Sequence, residues 1–345
     1  MPTRPVTTRR NAAAPPRRVA LKGLLLAAAL VAPCTAQERV NAAAPTRPGI
    51  PEQVVGAFDA LFAGPHPGAR AVHAKGLLCG GIFTPAPGAA ALSRAPHLRG
   101  PELPVLVRFS NFAAAPGLPD GHPAASPRGL AVKFLLADGD TDIVAHSYDG
   151  FPASTPEEFL AFLRAVPDPS ALGAHIARHP AARAFVEHPK PAPASYATEA
   201  YFGVNAFRFT NAAGVSRHGR YRVLPLAGTS HLGADEAAAR APDFLAGELV
   251  DRTRRGPVAF RLAVQLAEDG DVVADGSVPW PADRPVLDLG TITLTGPVPA
   301  GDERNAQLTF VPTNLVDGIA ASADPMLAAR TQSYRISAER RLDAR

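Results

Sequence analysis

Apolar positions along this chain alternate between helical and strand spacing. Val54, Val55, Phe58, Leu61 and Phe62 recur at helical intervals and predict an amphipathic helix over 51–64. From 71 to 144 the pattern shortens into β-like runs at 103–109, 130–136 and 142–145, with Asp138-Gly139-Asp140 as a hairpin signal between the last two. Thr155 caps a predicted helix that begins at Pro156 and carries Phe159, Leu160, Phe162, Leu163 and Val166 on its apolar face. A further helical stretch covers about 169–186. Strands return at 201–210 and 217–224, pairing across Asn211-Ala212-Ala213-Gly214. Helical pattern covers about 234–254, and Val258, Phe260, Leu262, Val264 and Leu266 then alternate as in a half-buried strand. A late strand is expected at 308–311 and a C-terminal helix at 326–341. Two groups of strands interrupted by helices predict an α+β fold built on an antiparallel sheet or barrel.

Composition changes this picture mainly at the N-terminus. With 46% hydrophobic and 19% charged residues among 345, general disorder is excluded. The formal charge of +4 is unevenly placed: six of the 35 cations and none of the 31 acids fall in the first 36 residues. The remainder therefore has a slight acidic excess and no basic patch for nucleic acid. Residues 1–36 read as an export signal. A basic region ends in Pro16-Arg17-Arg18-Val19-Ala20-Leu21-Lys22. An apolar stretch at 23–32, too short to span a bilayer, follows, and small residues precede cleavage near Ala36. The Arg17-Arg18 pair is similar to a twin-arginine signal, with an ordinary Sec signal as the alternative, while Pro33 disfavours a lipidated Cys34. Residues 37–50 read as a linker and 51–345 as one domain. No later segment is long and apolar enough to cross a membrane, so a soluble, periplasmic or otherwise exported protein is expected. Without Cys34 only Cys79 remains, in an apolar setting that reads as a buried strand end.

Four groupings could carry chemistry. His73 lies in Arg70-Ala71-Val72-His73-Ala74-Lys75-Gly76. A neutral imidazole beside a redox centre can take a proton from one peroxide oxygen and return it to the other, although a solitary histidine can equally be structural. Arg108 and Ser110 are two apart in Val107-Arg108-Phe109-Ser110-Asn111, so a strand points both to one side. A barrel interior holding them would need a polar ligand. In Pro127-Arg128-Gly129-Leu130-Ala131-Val132-Lys133-Phe134 the cations read as structural. His146, at the end of Asp142-Ile143-Val144-Ala145-His146, could reach a ligand as an inward side chain. In Arg330-Thr331-Gln332-Ser333-Tyr334 the guanidinium sits one helical turn from the phenol and favours the phenolate, a hard anionic ligand suited to ferric iron.

In order and spacing, these segments resemble the haem catalase family over about 51–341, and most closely its small exported members, the catalase-related peroxidases. The resemblance implies a catalase-type antiparallel β-barrel with flanking helices, and haem b held between the barrel and the C-terminal helix. It implies His73 as the distal catalytic histidine, Ser110 as the hydroxyl that orients it, and Tyr334 as the proximal ligand of the iron, paired with Arg330. Arg70, Arg108 and Arg341 would meet the haem propionates through charge-assisted bonds. Peroxide and a small organic electron donor are the implied partners, and a homo-oligomer is left open. His146 stands where catalases carry asparagine, a bulkier and titratable replacement. The chain lacks the long N-terminal arm and the further C-terminal helices of full catalases. A shorter path to the haem is therefore expected, favouring peroxidase turnover with organic donors and hydroperoxides, with residual catalase activity. The alternative is a non-enzymatic periplasmic haem-binding or storage barrel.

Overall fold

The computed structural model describes residues 48–299 and 307–344; the export signal expected at 1–36 and the expected linker as far as residue 47 lie outside the described residues. The strands are β1 (Gly76–Pro85), β2 (Leu103–Ser110), β3 (Gly129–Leu136), β4 (Gly139–His146), β5 (Tyr201–Phe202), β6 (Phe207–Thr210), β7 (Ser216–Pro225), β8 (Val258–Leu266), β9 (Val286–Pro297) and β10 (Ile319–Ala321). The α-helices are α1 (Ile50–Leu61), α2 (Ala89–Leu92), α3 (Pro156–Ala165), α4 (Pro169–Arg178), α5 (Pro180–Glu187), α6 (Ala234–Ala239), α7 (Phe244–Arg255) and α8 (Pro325–Asp343). Every strand pairing is antiparallel. β7 pairs with β8, which closes β1, β2, β3, β4, β5, β7, β8 and β9 into an eight-stranded barrel, while β6 and β10 extend it beside β7. The expected antiparallel barrel with flanking helices is thus the observed fold.

An eight-stranded barrel has an interior just wide enough for side chains to fill. Here Phe83, Phe109, Tyr201 and Phe260 fill it, each 0% exposed, with Phe109 stacked on Tyr196 at 5.5 Å. Cys79 lies in the middle of β1 rather than at a strand end and is fully buried, and burial pushes its thiol pKa up to about 12. On β2 the core takes Val105, Val107 and Phe109. Strand alternation then turns Arg108 and Ser110 to the outer face of the wall, and the same parity applies to Gly129 and Ala131 on β3 and to Val144 and His146 on β4. The inward orientation expected for Arg108, Ser110 and His146 is therefore corrected: an interior crowded with aromatic rings leaves the polar side chains facing the helices.

A second apolar cluster sits on that outer face, formed by Val54 and Phe58 of α1, Leu160, Phe162 and Leu163 of α3, and Ala182 of α5. Local chemistry sets these helices. Thr155 accepts from the Glu158 N–H at 3.2 Å, Asp168 caps α4, and Asp324 caps α8 by accepting from the Met326 N–H at 2.9 Å. The helix expected at 169–186 is two helices, because Pro180 drives His179 out of helical geometry, to φ −121°, ψ 94°. Pro242 likewise interrupts the stretch expected at 234–254.

The strand expected at 308–311 is a loop. Its hydrogen-bonding groups go elsewhere: the Leu308 carbonyl accepts from Arg70, and the Val311 N–H donates to the Asp142 carboxylate at 2.8 Å. β8 is buried on both faces from Leu262 onward, not half-buried, because the segment around 272–281 covers its outside, with Gln265 donating to the Pro281 carbonyl at 2.9 Å. Among the described residues no helix is long and apolar enough to cross a membrane.

Candidate functional site

A cavity of about 700 Å³ lies between the outer face of the barrel wall and helices α1, α3 and α8. All eight residues singled out from the sequence line it: Arg70, His73, Arg108, Ser110, His146, Arg330, Tyr334 and Arg341. They come from the loop before β1, from β2 and from β4 on one side and from α8 on the other, so only the folded chain assembles them.

His73 is set by backbone first. It has a left-handed conformation (φ 56°), sparsely populated for residues with a Cβ, and its N–H donates to the Phe112 carbonyl at 2.9 Å. Its Nδ1 lies 3.1 Å from Ser110 Oγ, and the ring stands edge-on to Phe112 with centroids 5.8 Å apart. Arg108 donates to the His73 and Ala74 carbonyls at 2.9 and 3.2 Å, fixing the loop from the strand beneath it. Burial, then the charges of Arg108, His146 and Arg330, pushes the imidazole pKa down to about 3, so the ring is neutral across the physiological range.

Gly129 explains how the ring gets its place. A Cβ there would lie 2.7 Å from His73 Cε1 and Nδ1 and 2.6 Å from Ser110 Oγ. Gly129→Ala is therefore expected to displace the imidazole and break its bond to Ser110, lowering activity about tenfold or more for the loss of roughly 1.4 kcal/mol of orientation. Steady-state rates, measured beside an unchanged circular-dichroism spectrum, check this.

His146 lies on the same wall. Its Nδ1 accepts from the Tyr148 N–H at 3.4 Å, whereas its Nε2 is buried without a hydrogen-bond partner among the described residues. Burial, then Arg330, pushes its pKa down to about 3. A second neutral imidazole thus faces the cavity with one ring nitrogen unspent.

Across the cavity, Arg330 donates to the Tyr334 hydroxyl oxygen through Nη2 at 2.9 Å and Nε at 3.3 Å. Its remaining arm donates to Asn205 Oδ1 at 2.5 Å, and Asn205 donates to Asp324 at 2.7 Å. The residue that caps α8 thereby also braces the guanidinium–phenol pair on that helix. Met326, 5% exposed, lines the cavity one turn earlier.

At another edge of the cavity Arg70, Arg108 and Arg341 converge, and their proximity depresses Arg70 and Arg108. Burial and the other two cations push Arg70 down to about 8, and burial, with Arg341 adding to it, pushes Arg108 to about 10. Arg70 and Arg341 both donate to the Leu308 carbonyl, at 3.0 and 3.3 Å. Such a concentration of positive charge suits an anionic group.

Arg128 and Lys133 are structural, as expected. Arg128 is 1% exposed and donates to Asn111, Ala125 and Asp120, and Lys133 pairs with Asp142 at 2.6 Å. Sequence reasoning missed Asn205, whose surroundings, Gly203-Val204-Asn205-Ala206, carry no local signal. It also missed Phe112, two residues beyond Ser110, whose alternation with Ser110 was the available clue.

The family model described as Catalase matches residues 65–345. A catalase-related peroxidase of Mycolicibacterium paratuberculosis is 40% identical over 299 residues, covering 84% of this chain and 94% of that protein. A catalase-related peroxidase of Synechococcus elongatus is 32% identical, covering 84% of this chain and 88% of that protein. Among solved structures, catalase A from Saccharomyces cerevisiae is similar with a TM-score of 0.73 at 23% identity, covering 82% of this chain and 63% of that one, a likeness of fold.

Proposed function

We infer the working of this site from one premise: the chain belongs to the catalase family and is an oxidoreductase acting on peroxide. Within that family we read it as a haem peroxidase that reduces hydrogen peroxide or organic hydroperoxides with a small organic electron donor. The observation that carries this reading is a neutral imidazole and a guanidinium-paired phenol facing one cavity from opposite walls. The residues present fit haem b. Three guanidiniums at one edge suit two propionates, the phenol oxygen suits ferric iron, and the unspent Nε2 of His146 suits an oxygen ligand on the His73 side.

When bound, the haem supplies the iron at which the peroxide bond is broken and the redox capacity to hold two oxidising equivalents. The protein's part is proton handling and positioning. With the His73 proton on Nδ1 and donated to Ser110 Oγ, Nε2 is free to take the proton from one peroxide oxygen and deliver it to the other, which leaves as water or alcohol. Ser110 fixes the ring plane. His146 Nε2 offers a second hydrogen-bond partner to the peroxide. Arg330 fixes the position of the Tyr334 oxygen by donating two N–H groups to it, Asn205 holds Arg330, and Asp324 holds Asn205. The same reading keeps 1–36 as an export signal cleaved near Ala36 and 51–345 as one domain, delivered to the periplasm.

A Soret band in the purified protein, with oxidation of a donor such as guaiacol outpacing oxygen release from hydrogen peroxide, is the expected result. Absence of the band overturns the haem assignment. A band without any turnover favours a haem-storage barrel.

The pH profile is a further test. A general base works deprotonated, so a pKa lowered to about 3 extends its working range into acid. The value of kcat/KM for peroxide is expected to stay level down to about pH 4 and to fall below it; a fall centred near 6.5 would mean an ordinary histidine. Stability has the opposite sensitivity. The unfolded chain takes up the proton first, near its ordinary value, so folding stability declines as pH drops from about 6.5 toward 3.

A further inference from the structure

The cavity does not end at the residues assigned to the haem. Phe159, Phe162, Leu163 and Val166, on α3 and the residue after it, line it across a span of eight residues, about 10 Å of helix axis, toward the surface. At the inner end Phe159 meets Phe151 at 4.8 Å, and Phe151 meets His146 at 6.3 Å. At the outer end Phe162 meets Phe185 of α5 at 5.9 Å, and Val186 beside it is 39% exposed at the mouth. An apolar wall therefore runs from the two imidazoles to solvent.

At the mouth stands Lys190, which also lines the cavity. Its ammonium lies 4.3 Å from the Phe185 ring centroid and 5.4 Å from that of Tyr148, and donates to the Phe185 and His188 carbonyls. No carboxylate pairs with it among the described residues, and half-burial against aromatic faces lowers its pKa. An ammonium has three N–H groups, two of which are used. A carboxylate arriving here would gain a charge-assisted bond at the edge of a low-dielectric passage.

We propose that this arm takes the acyl chain of a fatty-acid hydroperoxide, with its carboxylate on Lys190 and its hydroperoxide group turned inward to His73 and His146. The proposal rests on the peroxidase reading and names its substrate class. The oxygen–oxygen bond of the lipid breaks: R–OOH accepts two electrons and two protons from two molecules of the one-electron organic donor DH, giving R–OH, water and two donor radicals. An aliphatic tail suits the aromatic and branched wall, and an acid head suits the single cation at its entrance. Hydrogen peroxide needs neither feature.

The test compares linoleic acid hydroperoxide, its methyl ester and hydrogen peroxide on the haem-loaded protein, all below micelle-forming concentrations. The free acid is expected to have a KM about tenfold below that of the ester. Lys190→Gln is expected to raise the acid's KM to that of the ester and to leave the ester and hydrogen peroxide unchanged. Val166→Trp, which narrows the arm, is expected to raise KM for both lipids alone. Equal KM for acid and ester in the unaltered protein, or an acid KM insensitive to Lys190→Gln, overturns the proposal while hydrogen peroxide turnover keeps the peroxidase reading intact. Failure of all three substrates counts against the peroxidase reading. Calorimetric binding of the reduced hydroxy acid and its ester then still decides the arm: tighter binding of the acid supports it, and equal binding overturns it.

Discussion

Replacing His73 by alanine is expected to lower kcat for peroxide reduction by about 10²–10⁴-fold, the range associated with a positioned general acid–base group, while haem content is unchanged. The separation of these two effects follows from where His73 sits. Its ring contacts Ser110 and Phe112 on one wall, whereas the phenol and its guanidinium lie on α8. The backbone is held independently, through the His73 N–H to Phe112 and through Arg108 to two loop carbonyls, so truncation should not collapse the loop. His73→Gln serves as the control, filling the space without acting as a base near neutral pH. Stopped-flow rates of peroxide consumption, with the Soret absorbance as a measure of loading, distinguish the outcomes. A His73→Ala protein that is fully loaded and fully active would remove the imidazole from catalysis. A protein that loses haem would make His73 a structural residue.

Tyr334→Phe should have the opposite signature: loss of haem before loss of anything else. Removing an outer partner of a metal ligand typically costs 10–100-fold in affinity, and removing the ligand atom itself should cost more. The phenylalanine ring keeps the packing of α8, but Arg330 then loses the acceptor of two of its N–H groups and keeps only Asn205 on its third arm. A half-buried guanidinium that loses that acceptor adds its own penalty. Haem titration followed at the Soret band should give a weakened affinity and a shifted maximum. An unchanged spectrum and affinity would mean that another side chain binds the iron.

The barrel and the site differed in how legible they were. Helical and strand periodicity gave β2, β3, β7 and α8 to within one or two residues at each end, because each presents one continuous apolar face, whereas β4 was read three residues late at its start. β9 went unseen. Gly290 sits there at φ 145°, where a Cβ would lie 2.3 Å from the Thr84 carbonyl oxygen, and its partner β8 slips register between Leu262 and Ala263. The apolar alternation therefore changes phase in mid-strand, from Leu287 and Leu289 to Ile292 and Leu294. The side of the wall that holds the site was also misjudged. Alternation shows that Arg108 and Ser110 share a face, but which face is inner depends on where Phe83, Phe109 and Phe260 meet, three strands far apart in sequence. The guanidinium–phenol pair was readable because it lies within one helical turn, whereas Asn205 reaches it across 125 residues and left no local mark.

Sulfur is scarce in this protein, with two cysteines and two methionines in 345 residues, and the described residues contain only Cys79 and Met326. Thiolates and thioethers are the side chains that peroxides attack most readily. Cys79 is sealed within β1 as the unreactive thiol, which leaves the thioether of Met326, in the cavity wall two turns before the phenol, as the sulfur in a catalyst's own path. The number of turnovers before self-inactivation would then be set less by the global fold than by how rarely an oxidant lingers near that one sulfur.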